Sequence, residues 1–181
     1  GLNHIPYSKG RQNKKKGISL LFLLRDVLKI ADSRKEVKHI LSNADVKVNN
    51  KIRRDEKFPL QVLDVMQLEK AGKNYRLEIV NKKFKLNEVN DKEADKKIVK
   101  IIGKKTSKKG KIQMNLEDGQ NLITKEKFSI GDSVIVNTKN NNIEKIIPLK
   151  KSAKVEIISG KHAGEKGILE DIEDIERGKR Y

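Results

Sequence analysis

Cysteine is absent from the sequence and histidine is rare, and each absence excludes a kind of chemistry. Without cysteine the chain has no disulfides, no thiolate metal site and no cysteine nucleophile. The three histidines, His4, His39 and His162, lie in separate segments and form neither an H-E-x-x-H motif nor a Ser-His-Asp order. We therefore predict no enzymatic activity, no small-molecule substrate, no metal site and no cofactor.

Long apolar runs are also lacking. The longest, residues 18–24, falls far short of the roughly 20 residues that a membrane-spanning helix needs, and Arg25 and Asp26 interrupt it at once. No signal peptide is visible. We expect no membrane association, and the absence of cysteine is compatible with a reducing cytoplasm.

Positive charge is what the sequence has in excess. Its 181 residues include 42 Lys+Arg against 25 Asp+Glu, a formal net charge of +17. Such a chain repels itself without an anionic partner, and a polyphosphate is the obvious one. Lysine outnumbers arginine 34 to 8, which an AT-rich genome could partly explain, but five of the eight arginines fall in the first 54 residues. Hydrophobic residues make up 35%, enough for two or three small modules.

The first 17 residues are rich in basic side chains and show no apolar periodicity, so we predict an extended basic arm without helix or strand. Phosphate contacts would order such an arm when it binds nucleic acid. Its candidate contacts are Lys9, Arg11, Lys14, Lys15 and Lys16.

Two amphipathic helices are predicted next. Apolar residues recur at helical spacing as Leu20, Leu21, Leu24, Val27, Leu28 and Ala31, with Arg25, Asp26 and Lys29 on the opposite side. The S-x-x-E sequence from Ser33 to Glu36 is a capping box, which predicts the start of the second helix. That helix would bury Val37, Ile40, Leu41 and Ala44 and expose Arg34, Lys35, Lys38 and His39.

A hairpin follows the second helix. Val46 and Val48 alternate with Lys47 before Asn49-Asn50, a pair that tolerates positive φ and predicts a tight turn. We expect the two helices and the hairpin to share one basic face. The basic residues of the returning strand are Lys51, Arg53, Arg54 and Lys57.

This order of helices, followed by V-K-V-N-N-K-I-R-R-D-E-K-F-P-L and L-D-V-M-Q-L, resembles the alpha-L RNA-binding module. Residues 18–68, with L-L-R-D-V-L-K-I-A, look like the archaeal and eukaryotic type of small-subunit ribosomal protein four. The family's turn more often has glycine at the position of Asn50, but asparagine tolerates that backbone. The resemblance implies that residues 18–70 lie against folded small-subunit ribosomal RNA. The RNA contacts expected in this module are Arg25, Lys29, Arg34, Lys35, Lys38, Lys47, Asn49, Lys51, Arg53, Arg54 and Lys57.

The middle of the chain, residues 71–149, is rich in predicted strands. Segments 75–80, 84–89, 98–102, 112–116, 134–136 and 143–147 alternate with turn signals and suggest a small β-barrel. In the family that it resembles, this segment is the central domain. The lysine-rich segment 104–111 has two interpretations, a solvated loop or a phosphate contact.

Residues 154–168 resemble a KOW motif, a short β segment found in several ribosomal proteins. Gly160 and Gly164 would let the loop turn sharply, so that Lys161, His162 and Lys166 face a backbone phosphate. A nucleotide-binding loop is disfavoured because G-x-x-x-x-G-K-[ST] is absent. The acidic residues that follow lack the spacing of a calcium loop, which indicates a solvated face. Residues 150–181 would be a KOW domain shorter than the family's, which leaves open a compact member or an incomplete sequence.

The predicted fold class is therefore α+β, with a two-helix-plus-hairpin module, a central small β-barrel and a C-terminal KOW segment. The predicted function is that of a structural constituent of the small ribosomal subunit, with ribosomal RNA and neighbouring ribosomal proteins as partners in the cytoplasm. Two alternatives stay open: a non-ribosomal RNA-binding regulator of heat-shock or elongation-factor type, and an RNA-modifying enzyme. Asp64 could suggest a pseudouridine synthase, but the chain has no large catalytic domain, so a supporting role at a turn is the simpler interpretation.

Overall fold

The computed structural model describes residues 4–6 and 17–149, which form two compact units that divide after Asp95. Helices occur mainly in the first unit, and strands dominate both, so the predicted α+β class is confirmed. The predicted KOW segment and most of the basic arm lie outside the described residues.

The first predicted helix is shorter than its periodicity suggests and changes its geometry midway. Helix α1 (Leu20–Phe22) continues as a π-helical turn over Leu23–Val27. The amide of Leu28 donates to the carbonyl of Leu23 at 2.8 Å, an i→i+5 bond. Because the π-turn widens the helix, Leu23 becomes fully buried although it lies outside the predicted stripe.

Helix α2 (Arg34–Ser42) begins at the predicted capping box. The Oγ of Ser33 accepts from the Glu36 amide at 3.2 Å, and the Glu36 carboxylate accepts from the Asp32 amide at 2.7 Å. Val37 and Leu41 are buried as expected. The predicted inward-facing Ala44 is instead half-buried beyond the helix, where it adopts a φ of 60°.

The first unit contains a six-stranded antiparallel sheet of order β1-β8-β7-β6-β3-β4. A separate two-stranded pair joins β2 to β5. The strands are β1 (His4–Pro6), β2 (Ile18–Ser19), β3 (Val46–Val48), β4 (Lys51–Ile52), β5 (Pro59–Leu60), β6 (Val65–Leu68), β7 (Lys73–Val80) and β8 (Lys83–Val89). One face of the sheet packs against both helices, with Leu24, Leu41, Val48, Met66 and Leu77 in the shared core.

Two predictions about boundaries are wrong. Strand β1 lies within the arm, which was predicted to contain no strand, and it pairs with β8. In addition, β7 and β8 belong to the first unit, because β7 pairs with β6 in the register Val65↔Arg76. The first unit thus extends to Asp95 and the boundary does not fall at residue 70. Period-two alternation predicts a strand correctly, but it does not show which sheet the strand joins.

The second unit, described over residues 96–149, is a five-stranded antiparallel sheet curled into half a barrel. Its order is β11-β10-β9-β12-β13, so the long central strand pairs on both sides. These strands are β9 (Lys96–Thr106), β10 (Ile112–Leu116), β11 (Asn121–Thr124), β12 (Ser133–Asn137) and β13 (Asn142–Ile147). Val99, Ile101, Met114, Phe128 and Val134 lie in its core. Residues 71–149 therefore do not form the single predicted barrel. Strands β7 and β8 belong to the first unit, and the described part of the second unit consists of this curled sheet.

Candidate nucleic-acid interface

The region between the two helices of the first unit contains a surface cavity of about 610 Å³ whose lining includes three cations and two carboxylates. Arg25 comes from the π-turn, Lys29 from the end of that helix, and Arg34 from the first residue of α2. Three of the predicted contacts, two from the first helix and one from α2, are therefore brought to one depression. The complete lining is Arg25, Asp26, Lys29, Ala31, Asp32, Ser33 and Arg34.

Arg34 is oriented by a carboxylate that is nearly buried. Its Nε donates to Oε1 of Glu56 at 2.7 Å, and its Nη2 lies 2.6 Å from the same oxygen. The side chain of Glu56 is 8% exposed, whereas that of Arg34 is 57% exposed. The hydrogen bond from Arg34 lowers the pKa of Glu56, and the nearby charges of Lys38 and Lys57 lower it further. One part of the guanidinium is thus fixed while the rest faces solvent.

Arg25 forms an exposed pair with its neighbour in sequence. Its Nε and Nη2 donate to the two carboxylate oxygens of Asp26, each at 3.0 Å. This hydrogen bonding raises the pKa of Arg25 and lowers that of Asp26. Both side chains are more than a third exposed, so the pair is screened by water and holds Arg25 only weakly.

Three lysines complete the cationic surface around the cavity. Lys29, Lys35 and Lys38 are exposed, and none forms an ion pair among the described residues. Lys29 has a φ of 53°, which places it at the left-handed end of the helix. The amides of Ile30 and Ala31 return to the carbonyl of Leu24 at 3.0 and 3.3 Å and fix that end.

The hairpin supplies a second group of predicted contacts, and these side chains have different surroundings. Lys51 and Arg54 are exposed. The guanidinium carbon of Arg53 lies 4.4 Å from the centre of the Phe58 ring, and its Nε is buried without a hydrogen-bond partner among the described residues. Lys47 is 2.9 Å from the carboxylate of Glu69. Arg53 and Lys47 therefore already contact other side chains of the first unit.

Asn49, predicted as an RNA contact, has both ends of its amide engaged inside the module. Its Nδ2 donates to Asp64 at 3.0 Å, and its Oδ1 accepts from the Val65 amide at 3.0 Å. Asp64 also accepts from the Gln61 amide at 2.9 Å and is 5% exposed. These bonds give Asp64 a structural role at the turn and make Asn49 a support of the hairpin, while the RNA contact expected of Asn49 stays a prediction.

The hairpin turn itself forms as predicted. Asn49 and Asn50 have φ values of 50° and 64°, and β3 pairs with β4 through Val48↔Lys51. Asn50 accepts from and donates to Gln67, and its Nδ2 donates to Asp95 at 2.9 Å. Asn50 therefore does more than adopt the positive φ of the turn, because its side-chain amide also connects the turn to two other segments.

Two residues that position the interface were not predicted from the sequence. Glu56 holds Arg34, and Phe58 lies beneath Arg53. The carbonyls of Glu56 and Phe58 also accept from the amides of Leu21 and Leu20, so this loop caps the first helix. The acidic pair Asp55-Glu56 within the basic run R-R-D-E-K was a local signal, but it does not distinguish the buried, paired Glu56 from the exposed Asp55.

Ten predicted contacts lie outside the described residues, five in the arm and five in the KOW segment. The arm residues are Lys9, Arg11, Lys14, Lys15 and Lys16. The KOW residues are Gly160, Lys161, His162, Gly164 and Lys166.

Within residues 17–149, no three histidine, aspartate or glutamate side chains are grouped so that they could hold a metal ion. Among the helices described, none has the length and apolar character needed to cross a bilayer.

Comparison with known proteins identifies the family. The model described as Ribosomal family S4e matches residues 71–143. The protein named small ribosomal subunit protein eS4 from Methanosphaera stadtmanae is 35% identical over 173 residues, which is 95% of this chain and 72% of that protein. The protein of the same name from Archaeoglobus fulgidus is 35% identical over 163 residues, covering 90% of this chain and 68% of that one. The crystal structure of 30S ribosomal protein S4e from Thermoplasma acidophilum superposes with a TM-score of 0.58 at 31% identity, covering 72% of this chain and 68% of that one.

The α+β fold, the basic surface and these similarities define a ribosomal protein of the small subunit. The chain belongs to the S4e family, as the resemblance of residues 18–68 had indicated. The family is a structural one, which excludes the alternative of an RNA-modifying enzyme. A non-ribosomal regulator is likewise disfavoured by these relatives.

Proposed function

We propose that the chain binds small-subunit ribosomal RNA through the basic surface around the interhelical cavity and positions it during assembly and translation. The observation that carries this proposal is the convergence of Arg25, Lys29 and Arg34 on one depression. The exposed Lys35 and Lys38 on α2 extend the same surface. Five cations close together form an electrostatic footprint suited to an RNA backbone.

The mechanism is electrostatic and architectural. Lysine and arginine side chains neutralise phosphates and release counterions, while the helices that carry them keep their relative orientation. The helices are held rigid by the capping box at Ser33 and Glu36 and by the carbonyl bonds to Leu24. A rigid basic surface fixes the RNA segments that it binds, which is a function that requires no catalytic group.

Arg34 is the side chain best placed for a directed phosphate contact. A guanidinium has five N–H donors, and the pairing with Glu56 uses donors on Nε and Nη2 only. The remaining donors are held in a fixed fork that can bind a phosphate bidentately. Glu56 therefore acts as a positioning residue, because it orients the guanidinium without contacting RNA itself.

The finer assignments belong to this proposal as well. Residues 18–70 would act as an alpha-L module, with Lys47, Lys51, Arg53, Arg54 and Lys57 near the RNA. The arm and the KOW segment would reach further phosphates, and neighbouring ribosomal proteins would be partners in the cytoplasmic ribosome. The family membership supports these assignments, since the curated relatives carry the name of a small-subunit protein.

The test is a salt titration of RNA binding. The full chain is mixed with the small-subunit ribosomal RNA of Methanosphaera stadtmanae, transcribed in vitro, and affinity is measured from low to high salt. The triple variant Lys29→Gln, Lys35→Gln, Lys38→Gln should reduce the slope of log affinity against log salt by about 0.7 to 0.9 for each phosphate that the variant no longer neutralises.

A matched control keeps the same net charge. Lys73, Lys92 and Lys139 are exposed and form no ion pair among the described residues, and they lie away from the cavity in sequence. Their triple glutamine variant should retain the wild-type slope. Equal slopes for the two triple variants would show that charge alone drives binding and would refute the cavity surface as the RNA site.

A further inference from the structure

The segment 96–116 of the second unit has an extreme charge composition. It contains eight lysines and no aspartate, glutamate or arginine. At its start, Lys96 and Lys97 are neutralised by Glu144 at 3.3 Å and Asp118 at 3.4 Å. The lysines near the turn are exposed and have no ion pair among the described residues. They are Lys105, Lys108, Lys109 and Lys111, and we call the hairpin of β9 and β10 that carries them the lysine prong.

The prong is a defined hairpin. Its two strands pair up to Ile112↔Thr106, and the amide of Ser107 donates to the carbonyl of Lys111 at 2.8 Å. Lys104 is held at the prong's side, because its Nζ donates to the carbonyl of Phe128 at 3.0 Å and lies 5.1 Å from that ring. The four lysines are thus presented by a fixed backbone.

The direction of the prong is set by a bulge at its base. The register of β9 and β10 shifts between Asn115 and Leu116, with Asn115 opposite Gly103 and Leu116 opposite Ile101. A Cβ on Gly103 would lie 2.7 Å from Nδ2 of Asn115, so the glycine leaves room for the Asn115 side chain to lie against this strand. Bulges bend a hairpin and increase its twist, and they direct side chains toward a partner.

The turn of the prong holds lysine in a conformation that lysine rarely adopts. Lys109 has φ 60° and ψ 39°, and Gly110 follows with φ 73°. The hairpin turn of the first unit uses Asn49 and Asn50 at comparable positive φ values. A lysine side chain in this region costs about 1 kcal/mol more than residues that tolerate it. Lys29 and Lys82 adopt comparable φ values, so this conformation defines the turn and is not by itself a sign of function.

The composition of the prong also indicates which feature of a nucleic acid it fits. Segment 96–116 contains no aromatic residue, so it has no surface for stacking unpaired bases. It contains no arginine, so it lacks the fork that pairs with base edges or bidentately with one phosphate. Lysine ammonium groups are point charges, which suit phosphates whatever the base sequence.

We propose that the lysine prong binds the phosphates of double-helical RNA through Lys105, Lys108, Lys109 and Lys111. This inference rests on the proposed RNA-binding function and extends it to a second surface, on the second unit, that binds double-helical RNA. Double-stranded RNA is recognised mainly through its shape and its backbone. Strand β11 pairs with β10 through Thr124↔Ile112 near the turn. Lys125, Glu126 and Lys127 follow Thr124 directly, so this end of the sheet keeps a positive charge.

The experiment compares RNA forms with the full chain. The probes are a mixed-sequence RNA duplex of about 20 base pairs, long enough to present two successive minor grooves, and one of its strands alone. The variant Lys105→Gln, Lys108→Gln, Lys111→Gln leaves Lys109 and the turn intact. We expect its salt slope on the duplex to fall by about 0.9 for each phosphate left without its lysine, with a smaller change on the single strand.

The control and the contrary results separate the two proposals. The triple variant at Lys73, Lys92 and Lys139 should bind the duplex as the wild type does. If the wild type binds the duplex and the prong variant binds it equally, the prong proposal is overturned while the cavity surface stands. If the prong variant loses single-strand binding as much as duplex binding, the assignment to double-helical RNA is wrong. If the wild type binds neither probe nor ribosomal RNA, both proposals fail together.

Discussion

At the scale of single residues, the sheet of the first unit contains a buried carboxylate that links stability to pH. Glu78 on β7 is fully buried, on the same strand face as the buried Arg76. Burial raises the pKa of Glu78 to about 7 despite the opposing charges of Arg76 and Lys85. Glu93 contributes its carbonyl and a carboxylate oxygen to Arg76 at 3.3 and 3.8 Å. The buried site therefore favours the protonated form of Glu78.

We expect the free energy of unfolding to fall as pH rises from about 4.5 to 7. The folded state holds the Glu78 proton more tightly than the unfolded chain, in which the pKa of this carboxyl has its ordinary value of 4.5. The stabilisation, on the order of 3 kcal/mol, is fully present below pH 4.5. It is lost as the pH rises through the pKa that Glu78 has in the folded state. Denaturant unfolding at pH 5 and pH 8 measures it.

The variant Glu78→Gln should flatten this dependence, because a buried amide does not titrate. Glu88 on the adjacent strand is exposed, so Glu88→Gln is the matched control and should keep the wild-type profile. A wild-type stability that is equal at pH 5 and pH 8 would rule out the buried proton.

For single residues of the interface, the sequence predicts the exposure of side chains better than it predicts their partners. Lys29, Lys35 and Lys38 could be predicted as exposed because helical spacing assigns each residue to a face. The engagement of Asn49 with Asp64 could not be predicted, since it joins residues 15 positions apart. The same holds for Glu56 beneath Arg34, 22 positions away. Local pattern predicted the exposure of these three lysines, whereas tertiary contact determines which polar groups are already paired within the protein.

At the scale of elements, the pair β2–β5 depends on one glycine. A Cβ on Gly17 would lie 2.0 Å from the carbonyl oxygen of Leu60, which belongs to the backbone and cannot rotate away. Strand β2 pairs through Ile18↔Leu60, and the loop before β5 caps the first helix through Glu56 and Phe58. A displaced β2 would therefore disturb the helix that carries Arg25.

Gly17→Ala should destabilise the first unit by about 1 to 3 kcal/mol, the usual range for a forced backbone shift. Gly72→Ala is the comparison, because its Cβ would meet nothing within 4 Å and only its φ of 62° opposes the substitution. That variant should be destabilised by about 1 kcal/mol. Thermal unfolding ranks the two, and a larger destabilisation for Gly72→Ala would contradict the close approach at Gly17.

The sequence predicted the elements better than their partners. The capping box located the start of α2 correctly, and Asn49-Asn50 located the hairpin turn. The π-turn at Leu23–Val27 was not visible, because helical periodicity alone does not distinguish i→i+4 from i→i+5 bonding over one turn. Strand β7 was predicted as a strand of the barrel, yet its Tyr75 and Leu77 complete the core beneath the helices. Sheet membership depends on such non-local packing.

At the scale of the whole molecule, the net charge of +17 separates into surfaces that different elements present. The interhelical cavity surface belongs to the first unit and the lysine prong to the second, and each unit has its own hydrophobic core. Substitutions of exposed lysines on one unit leave the core of the other unchanged. Under the two proposals, each surface should therefore release its counterions independently of the other.

Combining the two triple variants tests this independence. The six-site variant at Lys29, Lys35, Lys38, Lys105, Lys108 and Lys111 should lower the salt slope on small-subunit ribosomal RNA by the sum of the two separate decreases. Additivity is expected because sites without shared partners contribute separately. A decrease no larger than that of one triple variant would mean that losing either surface already removes the phosphate contacts of the other, so that the two surfaces act as a single binding site. The additive result would instead assign the two surfaces to separate segments of RNA, as required of a protein that fixes one segment relative to another.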